Sequence, residues 1–193
     1  MLMIVPLKLH DVTAVDKLTR PQQDQKITLQ SPALSVLTDF KQYQPFHLNH
    51  KTTAKEARLI MENAHARLRF VVDDASGFLG VVTLDDLSEQ KMIQKMAAGH
   101  REHEILVTDF MQDRNQLKAF DYTELCRAKI IDVIETLKSK RQKHCLVVDR
   151  DSHEIRGIIS GSDIGRALDM PININRESTF IDIAQAILSS MDH

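Results

Sequence analysis

Tryptophan is absent from the 193 residues, and glycine, proline and cysteine number only 6, 5 and 2. With so few glycines there is no Gly-x-Gly-x-x-Gly or Gly-x-x-x-x-Gly-Lys-[Ser/Thr] loop, which argues against Rossmann and P-loop phosphate chemistry. Two cysteines cannot make a disulfide framework. Cys126 and Cys145 read as lying near opposite ends of one helix, about 20 Å apart at 1.5 Å per residue. A disulfide needs Cα atoms within about 7 Å, so both thiols are expected free, as suits a reducing compartment. Neither charge sign dominates: Lys plus Arg total 25 against 27 for Asp plus Glu, a net charge of -2. Nothing there draws the chain to nucleic acid or to an anionic membrane. No segment approaches the roughly 20 apolar residues of a membrane span. The opening Met1-Leu2-Met3-Ile4-Val5-Pro6 has neither the basic start nor the apolar length of an export signal, so a cytoplasmic protein is expected.

What is present is the composition of a folded chain, 42% hydrophobic and 27% charged, far from the disordered range. Its length allows one large domain or two small ones. Self-similarity favours two. Leu37-Thr38-Asp39-Phe40 is echoed by Val107-Thr108-Asp109-Phe110, and Phe70-Val71-Val72-Asp73 by Leu146-Val147-Val148-Asp149. Gly80-Val81-Val82-Thr83-Leu84-Asp85-Asp86-Leu87 is then echoed by Gly157-Ile158-Ile159-Ser160-Gly161-Ser162-Asp163-Ile164. Three matches in the same order indicate a duplication.

Each copy reads locally as β-α-β-β-α. In the first, Thr53 and Glu56 form a capping-box start, and Ala57, Ile60, Met61 and Ala64 then recur on one helical face. Phe70-Val71-Val72 and Leu79 to Val82 flank the turn cluster Asp73 to Gly77, where Gly77 is available for positive φ. Leu84, Leu87, Ile93 and Met96 suggest a second helix that stops near Gly99. In the second copy a helix is expected from about Glu124 to Lys140, with Ile130, Val133, Ile134 and Leu137 inward. A hairpin follows from Cys145 to Ser160. The last helix carries Ile164, Ala167 and Leu168 and ends at Pro171. The predicted organisation is an N-terminal extension (1–32), a first repeat (33–97), a polar linker (98–104), a second repeat (105–170) and a tail (171–193). In the tail Phe180, Ile183, Ala184, Ile187 and Leu188 recur at helical spacing, which predicts an amphipathic helix that packs on its own domain, with a partner surface as the alternative.

The element carrying most chemistry is Gly80-Val81-Val82-Thr83-x-x-Asp86 and its echo Gly157-Ile158-Ile159-Ser160-x-x-Asp163. A strand is expected to end, and a helix to begin, at the hydroxyl residue. Unpartnered N–H groups there carry the positive end of the helix dipole and suit a phosphate. One turn on, an ionised Asp offers two acceptors matching the 2′ and 3′ hydroxyls of a ribose. Ser or Thr followed by an acid three residues later is also an ordinary capping arrangement. The recurrence of the whole element favours the ligand reading.

In these residues each copy resembles a CBS domain, and the pair resembles a Bateman module. The resemblance implies an α+β fold, two CBS repeats packed with pseudo-two-fold symmetry. It also implies clefts that take AMP, ADP, ATP or S-adenosylmethionine. Thr83, Asp86, Ser160 and Asp163 fall on the family's hydroxyl and ribose-binding positions. The short strands Phe46-His47-Leu48 and Leu117-Lys118-Ala119-Phe120 would help line the nucleoside pocket, through Leu48, Ala119 and Phe120. Phe70 and Leu146 stand where the family usually has proline, and the second hairpin lacks the usual turn glycine. The two elements differ in charge. Asp85, Asp86 and Glu89 crowd Thr83, whereas Ser160 is followed by Gly161, Asp163 and Arg166, so the second is expected to hold phosphate better.

Other constellations carry less. His47/His50 and His100/His103 read as solvated histidines rather than metal ligands, and Asp149, Asp151 and Glu154 lack the spacing of a calcium loop. Cys145 is expected in a buried strand, without a catalytic role. The expectation is therefore a regulatory binding module, not an enzyme, with no required cofactor and no metal site. It would signal as a homodimer to an effector protein supplied in trans. The alternative is a ligand-free dimerisation or protein-interaction scaffold.

Overall fold

The computed structural model describes residues 26–138, 144–170 and 185. Gln185 apart, the expected tail helix lies outside the described residues, as do Pro171 and most of the N-terminal extension. In chain order the elements are β1 (Thr38–Asp39), β2 (His47–Asn49), α1 (Ala54–Asn63), β3 (Leu68–Val72), β4 (Phe78–Thr83) and α2 (Glu89–Ala97). There follow β5 (Gln112–Asp113), β6 (Ala119–Asp121), α3 (Tyr122–Leu125), α4 (Ile130–Lys138), β7 (His144–Asp149), β8 (Glu154–Ser160) and α5 (Gly161–Ala167). Short 3-10 turns at Ala33–Val36 and Val107–Asp109 lead into β1 and toward β5.

The repeated local pattern builds two four-stranded sheets, β2-β3-β4-β5 and β1-β8-β7-β6. Each has an antiparallel hairpin at its centre and a parallel strand on one side. The remaining edge strand is exchanged. β1, which opens the first repeat in sequence, pairs with β8; β5, which opens the second, pairs with β4. Two glycines permit this. A Cβ on Gly157 would lie 2.5 Å from the Thr38 carbonyl oxygen, and one on Gly80 would lie 2.3 Å from that of Gln112. Asp39 stands opposite Gly157 and Asp113 opposite Gly80. Asp113, not Asp109, is therefore the structural counterpart of Asp39, and the likeness of the two Thr-Asp-Phe strings is coincidental.

Burial follows the exchange. The first core gathers Ala57, Met61, Val71, Val82 and Leu87 together with Ile105 and Val107. The second gathers Ile130, Val133, Ile134, Val147, Ile159 and Ile164 together with Ala33 and Val36. Between the sheets lies a third cluster of Phe70, Val81 and Leu146, flanked by Phe40, Leu68, Phe78, Leu117, Ile155 and Ile158. Phe70 and Leu146, the residues standing in place of proline, thus fill the contact between repeats. The result is an α+β pair of repeats about a pseudo-two-fold axis.

Locally, α1 starts where the Thr53 hydroxyl accepts a hydrogen bond from the Glu56 amide at 3.2 Å. Ala54, Ala57 and Met61 are buried while Ile60 is 41% exposed, so the helix is rolled relative to the face that sequence spacing suggests. The single helix expected from Glu124 is two. Asp121 caps α3 by accepting from the Glu124 amide, and Asp132 accepts from the Lys129 amide just before α4. Cys126 is exposed beyond α3 and Cys145 is buried in β7, both as free thiols. Burial pushes the Cys145 thiol up to about 11, which keeps it protonated and unreactive. In the first hairpin the left-handed residue is Ser76 (φ 65), not Gly77, and its counterpart in the second is His153 (φ 57). Gly77 serves closeness instead: a Cβ there would meet the Asp73 carboxylate at 2.7 Å.

Candidate functional site

Both hydroxyl-to-carboxylate elements close on themselves. At the end of β8 the Ser160 hydroxyl donates to Asp163 Oδ2 at 2.6 Å and accepts from the Asp163 amide at 3.0 Å. Ser160 is the N-cap of α5, as expected. Arg166 reaches back one turn to Asp163 Oδ1 at 3.2 Å, with its side chain 74% exposed. Gly161 is buried, and Asp163 is half-buried.

At the end of β4 the Thr83 hydroxyl donates to Asp86 Oδ2 at 2.6 Å, the Thr83 amide donates to the same oxygen at 3.1 Å, and Lys91 holds Oδ1 at 3.0 Å. Burial works to raise the Asp86 carboxyl. The Thr83 hydroxyl, Lys91 and the Thr83 amide outweigh it, leaving Asp86 below its ordinary value and ionised at neutral pH. Here the expected helix start fails. The Leu84 amide is drawn to the Arg67 carbonyl at 2.9 Å, which prolongs strand pairing by one residue. A single turn over Thr83 follows, and α2 begins only at Glu89. A helix therefore begins at Ser160 and none begins at Thr83.

The short parallel strands lie alongside. Ala119 and Phe120 on β6 neighbour Leu146 and Val147 of β7. Ser160 stands opposite His144, two residues along β7 from Leu146, so Ala119 is about 7 Å along and 10 Å across the sheet from Ser160. Ala119 is exposed, while Phe120 packs partly against the second core. Leu48 on β2 departs from expectation. Its side chain is 4% exposed and belongs to the first core, so it cannot line a pocket. Its neighbours His47 and Phe46 are exposed, and the Arg69 guanidinium lies over the Phe46 ring at 5.4 Å.

Sequence reasoning missed a cleft of about 880 Å³ at the opposite ends of the sheets, between the two hairpins. Its lining comes from residues far apart in the chain, among them Phe40, Phe70 and Phe78 and the stretch from Val148 to Arg156. No local motif announces it.

Against known proteins, residues 37–92 match the family model of the CBS domain. No curated protein matches the chain. Among solved structures, an uncharacterized conserved protein from Pyrococcus horikoshii superimposes with TM-score 0.55 at 19% identity, over 76% of this chain and 98% of its own. CBSX2 in complex with AMP gives 0.53 at 19% identity, over 71% and 95%. The CBS domain of the bacterial CNNM/CorC family Mg2+ transporter in complex with ATP gives 0.55 at 11% identity, over 75% and 91%. At these identities the likeness is one of fold.

Proposed function

Since the chain carries a CBS domain and has the fold of a tandem CBS pair, we propose that it is a regulatory module that binds an adenosine-containing ligand, an adenine nucleotide or S-adenosylmethionine, between its repeats. It acts by binding rather than catalysis, as a homodimer in the cytoplasm, and passes the occupied state to an effector protein in trans. The observation that carries this reading is the pair of half-buried carboxylates, Asp86 and Asp163, each held by a hydroxyl at a strand end. Similar folds solved with AMP and with ATP add support.

Each carboxylate keeps one oxygen on its hydroxyl and lends the other to a solvent-exposed cation, Lys91 or Arg166. Such pairs are worth little in water, so a ribose can displace the cation at small cost. Arg166 is then released beside the ligand, where it suits a phosphate, and Ser160 with Gly161 opens α5 toward the same place. Asp86 has an extra amide on its inner oxygen and the acids Asp85 and Glu89 close in sequence. We therefore assign the stronger site to Ser160, Gly161, Asp163 and Arg166 with Ala119 and Phe120, and the weaker one to Thr83 and Asp86. Self-association is supported by an apolar strip on α1 and α2, where Leu59 and Ile93 are 57% and 59% exposed. Among the described residues no helix is long and apolar enough to cross a membrane.

The test is thermal unfolding with AMP, ADP, ATP and S-adenosylmethionine. A ligand at 100 times its Kd stabilises by about 2.7 kcal/mol. Asp163→Ala is expected to abolish most of that gain and Asp86→Ala less of it. If no compound shifts the midpoint, the ligand-free scaffold replaces this reading.

A further inference from the structure

The cleft between the hairpins is separate from the hydroxyl turns. At the hairpin tips the distance is greatest, since Thr83 and Ser160 each lie five residues along their strand from Phe78 and Ile155, about 17 Å at 3.3 Å per residue. The inner end comes closer, where Phe70 pairs with Val81, two residues from Thr83, and His47 of β2 joins the lining. Its floor is aromatic. Phe40 and Phe70 meet edge to face at 5.3 Å, and Phe70 and Phe78 lie 6.1 Å apart. Around this floor stand Lys41, Arg114 and Arg150, with Arg156 already neutralised by Asp39.

The acids of the lining are Asp149 and Glu154, and Asp149 accepts the amides of Asp151 and Ser152 at 3.1 and 3.3 Å. Arg150 is held through its Nε by Asp121 at 3.1 Å, a carboxylate only 11% exposed. Arg150 and Arg156 are thus taken up by Asp121 and Asp39, and Lys41 and Arg114 are the lining cations left to meet an anion in an apolar hollow shared by both repeats.

A second observation comes from the backbone. Ser76 and His153, one at each hairpin tip, occupy the left-handed region at φ 65 and 57. Glycine sits there without strain and other residues do not. Both residues line the cleft. His65 and Asp169 share this conformation elsewhere, and a left-handed residue commonly closes a bulged hairpin; what matters here is that the two equivalent tips bring Ser76 and His153 to the same cleft.

We infer that this cleft is a second ligand site, built for a small organic anion whose flat or apolar body rests on Phe40, Phe70 and Phe78. Its phosphate, sulfonate or carboxylate groups meet Lys41 and Arg114. Because one hairpin comes from each repeat, an occupant bridges them and fixes their spacing. The volume of about 880 Å³ suits a molecule of nucleotide size.

The test uses 8-anilinonaphthalene-1-sulfonate as a fluorescent aromatic anion and inorganic triphosphate as a competitor without an apolar body. One dye is expected to bind the folded protein and to be displaced by triphosphate. Lys41→Glu and Arg114→Glu, both at exposed side chains, should each weaken the dye at least tenfold with an unchanged melting temperature. His153→Gly should weaken it while raising the melting temperature, a combination that loss of fold cannot produce. Asp86→Ala and Asp163→Ala should leave dye binding as it was, so the outcome is independent of the nucleotide reading. Absence of dye binding, indifference to both charge reversals, or loss of binding in Asp163→Ala would each overturn the inference.

Discussion

Where β1 crosses to β8, Asp39 takes two hydrogen bonds from Arg156 at 2.8 and 2.7 Å; where β5 crosses to β4, Asp113 turns instead to the amide and side chain of Asn115. The Asp39–Arg156 pair is nearly dry, with both side chains 13% exposed, and the guanidinium also stacks over Tyr122 at 4.2 Å. The residue matching Arg156 on β4 is Leu79. One exchange is therefore clamped by an ion pair, and the other rests on backbone pairing, packing and one 3.4 Å hydrogen bond from the Arg114 guanidinium to the Phe78 carbonyl. The ion pair is an addition to the topology, not its cause.

The largest expected effect is at the clamp. Asp39→Ala leaves a half-buried guanidinium without its carboxylate and should cost about 1.5–3 kcal/mol in chemical denaturation. Asp113→Ala should cost less than about 1 kcal/mol, since only a local bond is lost. Equal losses would erase the distinction between the two crossings. The clamp also has a pH signature. The Arg156 hydrogen bond holds the Asp39 carboxyl at about 2, below the 3.8 of the free group. Its stabilisation is complete above the unfolded value and fades as pH falls from about 4 to about 2, by about 2 kcal/mol. Asp39→Asn should remove that fall from a pH series of melting curves.

Next comes a change expected to be equal on both sides. Gly80→Ala and Gly157→Ala each press a methyl group onto a carbonyl of the exchanged strand, and each should cost about 1–3 kcal/mol. A much smaller loss at one of them would mean that its edge strand yields. The smallest effect separates the hydroxyl turns. Ser160→Ala removes the cap of α5 and should cost about 1 kcal/mol, whereas Thr83→Ala loosens a turn with no helix behind it and should cost about half as much. Urea midpoints at constant slope measure both.

The duplication, the hairpins and the twin hydroxyl turns were legible because each is written in adjacent residues. What escaped was written across the chain. The strings around Asp39 and Asp109 look alike, yet only the partner strand, through Gly157 and Gly80, reveals that Asp113 is the true counterpart. Leu48 has the composition of a pocket wall but takes a core position, because alternation along β2 turns it inward between exposed His47 and Asn49. The delayed start of α2 depends on one hydrogen bond from Leu84 to Arg67, which no spacing rule contains. The hairpin cleft required both repeats to be in place before it existed.

The crossed edge strands also tie two distant stretches of sequence to a common fate. Any bulk gained at Gly157 must be answered near Thr38, and any at Gly80 near Gln112, so neither repeat can drift in shape by itself. Half of this molecule is not a smaller version of the whole. Each part supplies the border that the other lacks, so a change of shape in one bears directly on an edge strand belonging to its twin.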